Sequence, residues 1–124
     1  MKKKIFSLIL AFSLFFGIAS NAFAAAYIYP PTQSIKGSHR TASWDLSWSG
    51  GSGYYTIYFK PDQGITYKVI NPATKHKSQK YSYEYILPKN VAYDTYYPSL
   101  LVVEHEDPGV IVGTASARVY QSIY

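Results

Sequence analysis

The sequence contains no cysteine. Many small exported domains depend on disulfide bonds, so packing alone must hold this chain together. No G-x-S-x-G motif is present, and without cysteine there is no thiol nucleophile. Gly50, Gly51 and Gly53 do not fit the G-x-G-x-x-G pattern, and no helical pattern follows them to hold a phosphate. We interpret the glycine cluster as a turn, either of a β-hairpin or of a short connection between sheets.

The first residues have the three parts of a secretory signal. Lys2, Lys3 and Lys4 precede an apolar run over residues 5–18, and Ala22-Phe23-Ala24 supplies a small-x-small cleavage pattern. The run of 14 residues is shorter than the roughly 20 that span a bilayer. The sequence therefore predicts a signal peptide over residues 1–24 and a single domain over 25–124, with cleavage after Ala26 as the alternative. The protein is expected to be secreted, extracellular or associated with the cell wall, without stable membrane insertion.

The predicted mature chain also carries little net charge. The chain has 12 lysines and arginines against 7 acidic residues, and loss of Lys2, Lys3 and Lys4 leaves nine against seven. So weak a positive charge permits contact with an anionic polymer but argues against a dedicated nucleic-acid binder.

Strand patterns fill the rest of the chain, whereas a helical stripe of apolar residues is missing. Residues 39–49 alternate polar and apolar side chains, and Trp44 and Trp48 lie on the apolar side of the strand. This pattern indicates a strand with one buried and one solvent-exposed face. Similar strands are predicted over 54–60, 65–70, 80–87, 96–106 and 110–120, and loops over 71–79 and 88–94. A row of Tyr81, Tyr83 and Tyr85 falls on an apolar phase and is expected in the core. This spacing predicts an all-β fold, an antiparallel two-sheet sandwich of six to seven strands.

The order of these strands resembles that of a fibronectin type III or immunoglobulin-like domain. The resemblance rests on a tryptophan-bearing second strand, a Tyr-x-Ile-x-Phe third strand (55–59) and the last strand (113–119). Leu87-Pro88 ahead of Tyr96-Tyr97 also resembles the leucine-proline-tyrosine corner of that family. It implies a binding or spacer module, although fold alone does not establish function. The chain is also similar in signal peptide and size to short secreted proteins of Bacillus-type bacteria.

The densest ionisable cluster is Glu104-His105-Glu106-Asp107. Neighbours on a strand point to opposite faces, so these side chains converge on one metal ion only where the strand has already turned. Zinc would need further nitrogen or sulfur ligands, and His39 and His76 are distant in sequence. We interpret the cluster as a charged strand end that discourages edge pairing. No catalytic residue, metal site or cofactor is predicted.

Four residues are predicted to form a binding site. Tyr54, Tyr58 and Lys60 lie on the solvent-facing side of the strand predicted over 54–60. Lys68 is expected on the neighbouring strand. Exposed aromatic rings of this kind suit sugar rings, peptides or a partner protein. The alternative is that the two tyrosines only pack against their cross-strand neighbours.

The leading functional hypothesis is a non-enzymatic protein that binds a cell-wall or extracellular polysaccharide, or a protein, through this face. A self-assembling matrix protein is the alternative, because residues 100–103 are apolar on both phases and either lie under a loop or meet another molecule. That alternative allows a homo-oligomer. A secreted inhibitor or antimicrobial factor is also compatible with the size and export of the chain.

Overall fold

The computed structural model describes residues 25–124, which form ten β-strands. The predicted signal peptide lies outside the described residues. The strands are β1 (Ala25–Tyr29), β2 (Thr32–Lys36), β3 (His39–Ser49), β4 (Tyr55–Lys60), β5 (Lys68–Thr74), β6 (Ser78–Ile86), β7 (Tyr93–Tyr96), β8 (Ser99–Glu104), β9 (Ile111–Ser116) and β10 (Arg118–Ser122). Within residues 25–124, no helix has the length and hydropathy needed to cross a membrane.

The strands form two layers. Sheet I has the order β1-β3-β6, and the remaining strands form the groups β9-β8-β4-β5 and β2-β10-β7. These two groups are halves of one bent sheet, sheet II, because β7 continues into β8 and β9 continues into β10. The Ala117 N–H donates to the Pro98 carbonyl at 3.0 Å, so the ladder runs through the bend. If β1 and β2, β7 and β8, and β9 and β10 are each counted as one strand, the chain has seven strands. The predicted sandwich of six to seven strands is confirmed.

The first strand, made of β1 and β2, is divided between the two sheets. β1 pairs with β3 in sheet I, and β2 pairs with β10 in sheet II. The crossing occurs at Pro30-Pro31, where the missing N–H groups would interrupt a continuous strand. The β2–β10 pair is parallel, unlike the other pairs and unlike the antiparallel expectation. This order of strands is that of an immunoglobulin-like β-sandwich.

The core lies between the two sheets. Trp44, Leu46 and Trp48 of β3 are buried against Ile57 and Phe59 of β4, as the alternation predicted. The Trp44 and Phe59 rings pack with centroids 5.1 Å apart. Large apolar side chains buried in this way provide most of the stability of a domain that has no disulfide bond.

Several predicted boundaries are wrong, and the strands predicted over 96–106 and 110–120 are each interrupted, at 97–98 and at 117. The strand expected over 65–70 is β5, which begins at Lys68 and continues to Thr74, and β6 begins at Ser78. Most of the expected loop over 71–79 is therefore strand, and the loop expected over 88–94 ends where β7 begins at Tyr93. Pro72 lies inside β5, where it is tolerated because β5 is an edge strand.

The tyrosine row of β6 is buried only in part. Tyr85 is buried, as expected, whereas Tyr81 and Tyr83 are half-buried. The reason is that β6 is the edge of a three-stranded sheet, so no further strand covers these rings.

The glycine cluster is a turn, as predicted, and it connects β3 of sheet I to β4 of sheet II. Gly50, Gly51 and Gly53 all have positive φ angles. The Glu104 carboxylate accepts hydrogen bonds from both the N–H and the hydroxyl of Ser52. A Cβ at Gly51 would lie 2.7 Å from Glu104 Oε2, so the turn fits closely against β8.

Candidate binding face of sheet II

The outer face of sheet II is defined by the residues that share a phase with Tyr58. Tyr58 is aligned with Leu101, and Leu101 with Thr114, while Lys60 is aligned with Ser99 in the next row. Beyond the bend the rows continue through β7, β10 and β2. The outer face of sheet II comprises Tyr58, Lys60, Tyr93, Thr95, Tyr97, Ser99, Leu101, Thr114, Ser116, Arg118, Tyr120, Thr32, Ser34 and Lys36.

Charge on the outer face of sheet II has one sign. Its cations are Lys60, Arg118 and Lys36, and from strand spacing and rise their Cα atoms are about 12 to 14 Å apart along a diagonal. Two carboxylates occur within the strands that carry these rows, and both lie on the opposite phase. Asp94 is aligned with Gln121, and Glu104 with Tyr55. An anionic group that approaches these rows therefore meets cations and no carboxylate within the rows, while Asp62, whose Oδ1 accepts the Tyr97 N–H, lies in the turn beside them.

The outer face of sheet I is different. Lys80 Nζ lies 2.7 Å from Asp45 Oδ1, and Glu84 lies near His39 at 4.0 Å. Opposite charges thus alternate on this side of the sandwich and largely cancel. The asymmetry between the two faces is not visible in the net charge of the chain.

A depression of about 450 Å³ lies at the bend of sheet II. The bend lies where Pro98 and Ala117 separate β7 from β8 and β9 from β10. The depression contains an aromatic ring, a cation, hydroxyls and an amide; its lining residues are Pro31, Thr32, Gln63, Tyr97, Ser99, Ser116, Ala117 and Arg118. Asp62 lies in the adjoining turn, where Oδ1 accepts the N–H groups of Gln63 and Tyr97.

Arg118 is held by its aromatic neighbours. Its guanidinium carbon lies 5.7 Å from the centre of the Tyr97 ring, and Nη1 donates to the Tyr120 hydroxyl at 3.1 Å. The hydrogen bond to Tyr120 raises the pKa of Arg118 above its ordinary value. Arg118 also lines the depression, and a guanidinium can bind a carboxylate through two of its N–H groups.

Two of the four residues predicted from sequence lie together. Tyr58 of β4 is half-buried beside Leu101 and Val69. Lys60, two residues further along, is half-buried with Nζ 4.8 Å above the Tyr67 ring. Both belong to the outer face of sheet II, next to the depression.

The other two lie apart from this pair. Tyr54 precedes β4 and packs against the ring of His105 at 4.4 Å, with Lys75 Nζ 5.6 Å from its centre. Lys68 is exposed but is aligned with Phe59 rather than with Tyr58, so the edge strand carries it away from the row. The binding role of all four residues stays a prediction.

The acidic cluster divides at the end of β8. Glu104 binds the glycine turn, and His105 Nδ1 lies 3.0 Å from the Pro72 carbonyl and 3.1 Å from the Thr56 hydroxyl. Glu106 and Asp107 follow in the turn to β9. Within residues 25–124, no three histidine, aspartate or glutamate side chains are grouped closely enough to hold a metal ion.

The doubly apolar segment of β8 is covered by the chain only in part. Leu100 and Val102 face the core, and Val103, on the outer side of the strand, is only 3% exposed. Its cross-strand neighbour Thr56 is also buried, beneath the contacts of His105. Leu101, also on the outer side, is half-buried on the outer face of sheet II. The alternative of self-assembly through this segment stays a prediction.

Sequence reasoning missed Arg118, Tyr97 and Lys36. Arg118 and Lys36 lie on strands that are distant in sequence from Lys60, and Tyr97 lies between β7 and β8, so only the pairing of the strands of sheet II brings them together. The signal that could have found them is the alternation of 116–122, which places Arg118 and Tyr120 on the wet phase.

Comparison with known proteins adds little. No protein-family model matches the chain, and no curated protein matches it. Among solved structures, an apo-form Calx CBD1 domain aligns with 83% of this chain and 99% of its own, at 9% sequence identity and a TM-score of 0.49. The immunoglobulin-like description rests on the strand order given above.

One detail of the fibronectin type III resemblance is not reproduced. In a tyrosine corner the hydroxyl returns to backbone a few residues upstream. Here the Tyr96 hydroxyl donates instead to Gln121 Oε1 at 2.7 Å. The coarser assignment, an immunoglobulin-like sandwich, is the one that the structure supports.

Proposed function

We propose that this protein is a secreted, non-enzymatic binding protein that holds an acidic polysaccharide on the outer face of sheet II. The proposal rests on one observation. The strand rows that carry the cations of that face contain no carboxylate, and exposed tyrosine rings and hydroxyls lie beside the cations. Acidic sugars combine a ring that stacks on tyrosine with hydroxyls and a carboxylate. The depression at the bend offers a partner for each of these groups.

The geometry suits an extended polymer better than a small molecule. The cations are spaced along a diagonal of three strands, and the depression between Lys60 and Arg118 is open rather than enclosed. Attraction at partly exposed sites is weak for each ion pair, about 0.2 to 1 kcal/mol. Useful affinity therefore requires several contacts at once, as a chain of repeated acidic sugars provides.

Binding to polygalacturonate, with dextran as the neutral comparison, tests the proposal. We expect titration calorimetry to show binding to the polyuronate alone, weakening as salt increases. Lys60→Ala with Arg118→Ala should lower the affinity about fivefold to tenfold, because two ion pairs are lost. The double variant Tyr54→Ala with Tyr58→Ala tests whether the two tyrosines of the site predicted from sequence contribute to binding.

Lys89→Ala is the control, since Lys89 is exposed in the connection between β6 and β7, outside the strand rows that form the outer face of sheet II. It removes one positive charge, as each substitution of the double variant does, and should leave binding unchanged. Equal binding to dextran, or equal losses for Lys89→Ala and for the Lys60/Arg118 double variant, would rule the site out. A polyphosphate of similar length distinguishes recognition of the sugar from recognition of charge alone.

A further inference from the structure

The strands at the edges of the sheets are not equally protected against pairing with another chain. In sheet II, β5 contains Pro72 and two register shifts, and β2 has only five residues. In sheet I, β1 packs closely on β9 at Gly113. Short strands, proline, irregular register and charged side chains are the usual devices that block edge pairing. β6 is long, regular and without proline, and of these devices it has only the charged side chains of Lys80 and Glu84.

β6 is a nine-residue edge in regular register. It pairs with β3 from Ser78 to Ile86 without a shift. The Trp48 N–H donates to the Lys77 carbonyl and the Leu87 N–H to the Ser38 carbonyl, so the odd-numbered residues turn their amides towards β3. The even-numbered residues, Ser78 to Ile86, consequently turn theirs towards the open edge. Within residues 25–124, no backbone group from another strand pairs with that edge.

We propose that β6 pairs with β6 of a second copy, antiparallel and centred on Ser82, to form a two-fold dimer with a continuous six-stranded sheet. In this register Ser82 faces Ser82, and Lys80 of each copy faces Glu84 of the other. The outward amides of the even-numbered residues then meet in hydrogen-bonded pairs, as an antiparallel ladder requires. The interface is isologous, the common arrangement in homodimers.

Charge selects this register among the possible ones. A slide that centres the pair on residue 80 places Lys80 against Lys80, and a slide to residue 84 places Glu84 against Glu84. Like charges directly opposite one another destabilise a strand pair, whereas opposite charges stabilise it. Lys80 is already 2.7 Å from Asp45, with its side chain 87% exposed, so a carboxylate from the second copy completes a row of alternating charge.

The inner phase of β6 is also self-complementary. Tyr81 of each copy faces Tyr83 of the other in the proposed register. Both rings are half-buried in the single chain, at the unclosed side of the sandwich. Aromatic pairs across an antiparallel ladder are stabilising, and the second strand covers the surface that sheet I leaves open.

Charge-reversal variants test the pairing directly. In a dimer of the Lys80→Glu variant, each glutamate at position 80 faces Glu84 of the other copy, and in a dimer of the Glu84→Lys variant each lysine at position 84 faces Lys80. Each variant alone should therefore dimerise about tenfold more weakly than the parent. An equimolar mixture of the two variants has opposite charges at every position and should recover the dimer. Sedimentation equilibrium across a concentration series of protein expressed from the full chain measures all four samples.

A second pair of variants isolates the backbone. Ser82→Pro removes an outward N–H that β3 does not use, so the chain should fold and the dimer should be lost. Ser82→Ala loses only the hydroxyl contact with Ser43 and should still dimerise. A monomeric parent chain at all concentrations, a mixture no more associated than its two components, or a dimer that survives Ser82→Pro would each overturn the proposal.

Discussion

Gln121 is the residue on which most buried polar contacts converge. It is 1% exposed. Its Nε2 donates to the Gly37 carbonyl at 2.7 Å and to the Tyr85 carbonyl at 3.1 Å. Its Oε1 accepts the Tyr96 hydroxyl. One amide therefore joins β10 to the β2–β3 turn, to β6 and to β7, and thus connects the two sheets at one end of the sandwich.

We expect Gln121→Leu to lower the free energy of unfolding by about 2 to 4 kcal/mol, because it leaves a buried hydroxyl and two buried carbonyls without that partner. Urea denaturation with tryptophan fluorescence measures the change. Tyr96→Phe removes only the hydroxyl and should cost less, about 1 kcal/mol. Because the two residues share a hydrogen bond, the double variant should lose less than the sum of the single losses. Additive losses would show that the contact is not formed.

At the scale of elements, β1 depends on a glycine in the opposite layer. A Cβ at Gly113 would lie 2.8 Å from the backbone of Ala25 and of Ala26. The contact closes the side of the sandwich opposite β6. Gly113→Ala should force β1 away from β9 and lower the free energy of unfolding by about 1 to 3 kcal/mol. Amide hydrogen exchange should show the loss of protection first in β1.

Gly64→Ala is the control for this substitution. Gly64 lies in the turn after β4, where an added Cβ has no atom within 4 Å. Its φ is not positive, so alanine should be neutral or slightly stabilising through the unfolded chain. If Gly113→Ala were as harmless as Gly64→Ala, the close approach of β1 would be wrong.

Local alternation was enough to predict the strands that have one wet and one dry face. β3 is the clearest case, since Trp44, Leu46 and Trp48 alternate with polar residues over the whole strand. Edge strands were predicted less well. β5 contains Pro72 and few apolar residues, so its pattern resembles a loop, and its strand conformation depends on hydrogen bonds from β4.

The candidate site was predictable only in part for a related reason. Tyr58 and Lys60 share a strand and a phase, which the sequence shows directly. Arg118 joins them through pairings between strands that are far apart along the chain, and such pairings leave no local pattern. Lys68 shows the converse, since a register shift between β4 and β5 moves it out of the predicted row.

At the scale of the whole molecule, buried phenols link stability to alkaline pH. Burial raises the pKa of Tyr85 above the usual value of 10.0, with a smaller contribution from Asp62. Burial also raises the pKa of Tyr55, Tyr81 and Tyr96. The folded state therefore holds these protons where the unfolded chain releases them. Stability from this source is complete below about pH 10 and falls as the pH rises further.

We expect the urea midpoint to be unaffected by the phenols from neutral pH to about pH 9 and to decrease steeply above pH 10. Tyrosinate absorbance in the ultraviolet provides an independent measurement. Because burial raises the pKa of Tyr85, its phenol should ionise only as the chain unfolds. Ionisation of Tyr85 while the protein remains folded would contradict the prediction.

The position of β6 in one layer and of the cations in the other has a consequence for avidity. The two-fold axis of a β6-paired dimer runs perpendicular to the continuous sheet, so both copies of sheet II look in the same direction. A single long polyanion then reaches two cationic faces, and its second attachment is intramolecular. Affinity for long chains consequently rises well above that for short oligomers, with no new contact in either copy.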